Sequence, residues 1–125
     1  MLISFAFALK TIKSLAGINM PYSTTSFDEE GFLLDLTKWD KDTARLIASH
    51  EMITLTKEHW EIINLVRSFY NEYDLSPSIR PLAKYIKKHL SEEKSRSIYL
   101  MTLFPGSPAK LACKIAGLPK PDNCL

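Results

Sequence analysis

From Thr56 onward, apolar residues recur at three- and four-residue steps: Trp60, Ile63, Val66, Phe69, Tyr70 and Tyr73. That spacing lays a wide apolar stripe along one face of an α-helix. Thr56 is the expected N-cap, Glu58 sits favourably in the first turn, and Asp74-Leu-Ser-Pro77 ends the pattern. The same period resumes after Ser78, with Pro81 in the first turn, where its missing N–H costs little. Ile79, Leu82, Ala83, Ile86 and Leu90 are predicted to face inward there, and Arg80, Lys84, Lys87 and Lys88 to face away. An earlier helix over about Lys38 to Ser49 would place Trp39, Ala44, Ile47 and Ala48 on one side. A short helix from about Ser97 to Leu103 stops at Phe104-Pro-Gly106. The last begins with Ser107 as cap and Pro108 at the first helical position, runs through Ile115, and is closed by Gly117 in the left-handed conformation.

Upstream of these, Tyr22 to Phe27 and Phe32 to Leu36 read as short strands around Asp28-Glu-Glu-Gly31, where Gly31 supplies the positive φ of a tight turn. The fold class is therefore mainly α (α+β): a compact helical domain of about five helices with a small N-terminal β-hairpin and a flexible C-terminal arm. No internal repeat or low-complexity stretch interrupts it. The chain divides into an N-terminal extension at 1–19, a helical domain at 20–116 and the arm at 117–125. The apolar run Met1 to Leu9 is stopped by Lys10 and Lys13, well short of the roughly 20 residues a bilayer requires. It lacks the basic start and small-residue cleavage site of a signal peptide. A short appended helix, or an upstream start with Met20 as the working one, are the readings left for it.

Composition narrows the class. With 125 residues, 46% hydrophobic and 24% charged, the chain is an ordinary globular domain with room for a core that needs no staples. A net charge of +2 is too small to argue for nucleic acid by itself. Its only two cysteines, Cys113 and Cys124, fall in the last stretch of chain, which argues for reactivity over architecture and for a reducing, cytoplasmic setting.

Cys113 belongs to the last turns of the final helix. Cys124 follows Leu118-Pro-Lys-Pro121, which cannot continue a helix and favours an extended course. An arm from Gly117 could carry Cys124 about 25 Å outward, or bend back to meet Cys113. One thiol that travels and one that stays make an attacking and resolving pair. Lys110, Lys114 and Lys120 favour thiolate nearby, whereas Asp122 opposes it. The competing readings are a structural disulfide, a redox switch without sulfur transfer, and half a metal site with His50, His59 or His89. No C-x-x-C or H-x-x-x-H spacing supports the last. The basic face with Arg80 reads as a solvated helix surface or as a docking face, and His59 reads as structural. A helix-turn-helix-like nucleic-acid module with that face as its reader is a reading of another class. Nucleotide loops, serine triads and paired-carboxylate sites are absent from the sequence.

The run Leu103-Phe-Pro-Gly-Ser-Pro-Ala-Lys110, then Lys114-Ile-Ala-Gly-Leu-Pro-Lys-Pro121 and Cys124, resembles the DsrC/TusE family of sulfur-relay proteins. Asp28-Glu-Glu-Gly-Phe-Leu33, Glu58-His-Trp60, Phe69-Tyr70, Ser76-Pro-Ser-Ile-Arg80, Glu92-Glu-Lys94 and Tyr99-Leu100 extend the resemblance over about Ser26 to Leu125. It implies a sulfurtransferase that carries sulfane sulfur as a persulfide on Cys124, with Cys113 as an auxiliary or resolving thiol. Arg80, Lys110, Lys114 and Lys120 would serve anion stabilisation or docking, and no cofactor or metal is called for. For TusE-type members the implied partners are a TusBCD-like donor and an MnmA-like tRNA thiouridylase, leading to wobble 2-thiouridine. For DsrC-type members the partner is dissimilatory sulfite reductase. A second cysteine at the position of Cys113 is typical of DsrC. Gly106-Ser-Pro108 departs from the usual Gly-Pro pairing, and Asp-Asn-Cys-Leu departs from the Thr-Gly-Cys-Val ending common in DsrC. The tRNA-thiolation role is placed ahead of the sulfite-reductase one.

Overall fold

The computed structural model describes residues 26–122. Within them five α-helices follow one another: α1 Lys41–His50, α2 Lys57–Tyr73, α3 Ile79–His89, α4 Ser97–Leu103 and α5 Pro108–Ile115. The architecture is mainly helical, and α5 is its centre, touching each of the other four helices. Its inward residues Ala109, Ala112, Cys113 and Ile115 meet Ala44 and Ile47 of α1, Ile62, Ile63 and Val66 of α2, and Leu82 and Ile86 of α3 in one core. Each fully buried Ile or Leu there contributes about 1.5–3 kcal/mol relative to exposure.

Of the expected hairpin, residues 22–25 lie outside the described residues. The remainder is a turn with Gly31 at φ +91°, closed by an isolated antiparallel bridge between Phe27 and Leu33. Asp28 organises the turn, its carboxylate accepting from the amides of Glu30 and Phe32 at 2.9 Å each. The extension 1–19 and Cys124 likewise lie outside the described residues.

One boundary and one buried position differ from the sequence expectation. The first helix starts at Lys41, because Asp40 caps it by accepting from the Thr43 amide at 2.8 Å. Leu36–Lys38 form a separate 3-10 turn, so Trp39 stands ahead of the helix and is free to point elsewhere. Ile79, expected inside, is 41% exposed. As the first residue of α3 it lies beyond the turn that packs on the core, and inward packing begins at Leu82.

Thr56 caps α2 as expected, and His59 completes the cap. The Thr56 amide donates to His59 Nδ1 at 3.1 Å, which leaves the ring proton on Nε2, 2.8 Å from the Leu103 carbonyl of α4. The ring also meets the edge of Phe104 at 5.2 Å between centroids. His59 therefore ties the start of α2 to the end of α4, which is a structural role. His59→Ala, which removes both part-buried ring bonds and the ring's contact with Phe104, is expected to cost about 1–3 kcal/mol in urea unfolding. A loss below about 0.5 kcal/mol would contradict this role.

Candidate functional site

The candidate site grows from the C-terminal end of α5. Gly117 adopts φ +75°, its amide donates to the Lys114 carbonyl at 3.1 Å, and the Leu118 amide donates to the Cys113 carbonyl at 3.0 Å. These two bonds form a Schellman closure, and the residues at its customary apolar positions, Leu118 and Cys113, both belong to the core. The glycine is required twice over. Its φ disfavours any L side chain, and a Cβ there would lie 2.7 Å from Trp39 Cγ.

Trp39 and Arg67 satisfy the carbonyls this closure leaves. The Trp39 indole N–H donates to the Ile115 carbonyl at 2.8 Å, and Arg67 Nη1 donates to the Ala116 carbonyl at 2.6 Å. The Arg67 guanidinium lies 3.9 Å from the Trp39 ring centroid. Its positive charge suits the negative end of the helix dipole, while burial pulls its pKa below the ordinary value.

Cys113 is wholly buried, with Sγ 3.7 Å from the Pro77 carbonyl. Ser76, the residue before Pro77, is itself buried and donates from Oγ to the Pro119 carbonyl at 2.6 Å. One short segment ahead of α3 thus holds both the inner thiol and the chain leaving α5. That chain stays on the globule: Leu118 is 3% exposed and Pro121 is buried.

The basic candidates divide by position. Glu30 receives Lys110 on Oε1 and Lys120 on Oε2, each at 3.1 Å, so the 28–31 turn clasps both α5 and the residues after it. Lys114 is buried, pairs with Glu51 at 2.8 Å, and lies 5.2 Å from the Phe32 ring centroid. It lines a cavity of about 320 Å³ beneath Gly31, together with Glu51 and His50. Arg80 is exposed near the start of α3 and enters no ion pair among the described residues. It is not drawn into the cluster around Cys113. No group of three or more metal-ligating side chains occurs among the described residues, and no described helix is long and apolar enough to cross a membrane.

Sequence reasoning gives no site role to Trp39, Arg67, Ser76, Glu30 or Glu51. Ser76 and Glu30 carry a visible signal, as members of the Ser76–Arg80 and Asp28–Leu33 motifs. Trp39, Arg67 and Glu51 act across distances that no local pattern records.

Two outcomes follow from this geometry. Gly117→Ala combines left-handed strain with displacement of the indole and is expected to lower stability by about 2 kcal/mol or more in urea unfolding; an unchanged midpoint would contradict it. The Glu30 carboxyl is held below its ordinary value of 4.5, by Lys110 first and Lys120 second. A depressed folded pKa means the ties are complete above the unfolded value and lost as pH falls through the folded one. The Glu30 carboxyl carbon shift should therefore titrate below pH 4.5, and a midpoint at or above that value would contradict the clasp.

A family model described as DsrC like protein matches residues 9–125. The Sulfurtransferase TusE homolog of Haemophilus influenzae is 52% identical over 98 residues, covering 78% of this chain and 90% of that one. Sulfurtransferase TusE of Pectobacterium atrosepticum is 48% identical over 102 residues, covering 82% and 94%. Among solved structures, DsrC of Allochromatium vinosum superposes with a TM-score of 0.74 at 46% identity, covering 81% of this chain and 90% of that one. The oxidized gamma-subunit of dissimilatory sulfite reductase (DsrC) from Archaeoglobus fulgidus gives 0.70 at 40%, covering 81% and 92%.

Proposed function

The chain belongs to the DsrC-like family, and from that membership we propose that it is a sulfurtransferase of a sulfur relay, carrying sulfane sulfur as a persulfide on Cys124. The observation that carries this reading is identity of about half with sulfurtransferases named TusE, over most of both chains. The chemistry needs no cofactor, because the sulfur is the cargo. The Cys124 thiolate attacks the outer sulfur of a donor persulfide, breaking the donor S–S bond, releasing the donor thiolate and giving Cys124–S–SH. An external thiolate attacking the outer sulfur takes it onward and returns Cys124 as thiolate. Attack by Cys113 on the inner sulfur instead expels hydrosulfide and leaves a Cys113–Cys124 disulfide, which gives Cys113 the role of resolving thiol.

For the pathway, we favour supply by a TusBCD-like donor and delivery to an MnmA-like tRNA thiouridylase in the cytoplasm, ending in wobble 2-thiouridine. A DsrC-type role beside dissimilatory sulfite reductase is the second reading, and Cys113 is the residue that favours it. The lysines take roles set by their contacts. Lys110 and Lys120 fasten the arm through Glu30, Lys114 supports its root through Glu51, and Arg80 is offered outward for docking.

Loading the protein with a sulfane donor should add one sulfur at Cys124 by mass. Cys124→Ser abolishes the adduct and Cys113→Ser spares it. Deleting the gene should deplete 2-thiouridine in tRNA, whereas unchanged modification would rule out the favoured pathway. A nucleic-acid module would bind duplex DNA with steep salt dependence and keep that binding after both cysteines become serine.

A further inference from the structure

Ser76 and Pro77 grip two things that the sulfur-carriage reading requires to meet. Pro77 accepts from Cys113 Sγ at 3.7 Å, and Ser76 donates to the Pro119 carbonyl at 2.6 Å. The base of the arm is thereby held beside the inner thiol. The clasp of Lys120 on Glu30 and the burial of Pro121 extend the hold two residues further. While these ties last, the contour beyond the last tied residue, three residues to Cys124, is about 10 Å. With them open, the hinge moves back to Gly117, pinned under Trp39, and the reach grows to about 25 Å. The same chain can serve an internal partner in the first condition and a distant active site in the second.

We infer that Ser76 is a positioning residue that sets how the Cys124 persulfide is partitioned between attack by Cys113 and delivery to an outside thiol. The inference rests on the sulfur-carriage reading and adds a residue to which that reading gives no part. Ser76 touches neither sulfur. It acts through the Pro119 carbonyl, which fixes the length of arm left to move. Ser76 is buried and its bond to Pro119 part-buried, so water competes for it less than for the half-exposed Lys120–Glu30 pair.

The test loads the full chain with inorganic polysulfide and then adds glutathione. Two products are quantified by mass: glutathione persulfide from external transfer, and the Cys113–Cys124 disulfide from internal attack, with hydrosulfide as its co-product. Ser76→Ala removes one hydrogen bond and is expected to raise the external-to-internal ratio about two- to tenfold. Ser76→Thr keeps a hydroxyl at that position and should hold the ratio near that of the unaltered chain, while Glu30→Gln loosens the neighbouring Lys120 tie and should raise it by about 1.5- to twofold, so the tethering stays testable if Ser76→Ala folds poorly. A ratio unchanged in both Ser76→Ala and Glu30→Gln, or both products falling together in proportion, would overturn the positioning role. Failure of the unaltered chain to load Cys124 would instead strike the sulfur-carriage reading itself.

Discussion

The structure depends on how α5 ends. A helix that stops inside a protein leaves carbonyls without partners, and each one buried unpaired costs on the order of 1–3 kcal/mol. Here the Schellman bonds satisfy Cys113 and Lys114, the Trp39 indole satisfies Ile115, and Arg67 satisfies Ala116. Trp39 and Arg67 come from opposite sides of α1 in sequence, so closing this one helix draws the N-terminal loop and α2 to the same point. The close seat of the indole over Gly117 then fixes the direction in which the chain departs.

Charge completes what packing begins. Lys114 is nearly enclosed and Glu51 is its ion partner, so removing Glu51 alone would leave a buried cation without its counter-charge. Glu30 works differently, as one carboxylate on a singly bridged turn that holds a lysine of α5 and a lysine of the chain beyond it. Exposed pairs of this kind contribute little stability each, yet they bias where a short segment rests. The turn at 28–31 is thus linked to the arm through charge more than through sheet pairing.

Much of this is legible in the sequence because it is locally encoded. The α2 stripe as far as Tyr70, the Thr56 cap, the Ser107-Pro108 start and the glycines at 31 and 117 take the places their local chemistry demands, whereas Tyr73, at the end of the stripe, is half exposed. The misplaced start of α1 is also local in origin: Asp40 is a stronger cap than Thr37, which a start at Lys38 would use, and only the folded chain shows Trp39 turned toward α5. Ile79 misleads because a helix's first residue can match the apolar period and still lie beyond the core. Cys113 falls in the last turns of α5, as its position in the pattern implies, but its complete burial and its contact with Pro77 depend on the segment ahead of α3, distant in sequence. The grip of Ser76 on Pro119 is of the same kind, a contact between segments that no spacing rule connects.

The arm expected at 117–125 is packed through Pro121, so what matters most is where freedom of the backbone can begin. Amide relaxation at Gly117, Leu118 and Lys120 measures it most directly, with α5 as the internal standard. Order parameters there are expected near the rigid-backbone value of about 0.85, equal to those of α5. Values falling toward about 0.6 already at Gly117 or Leu118 would contradict the packed root of the arm.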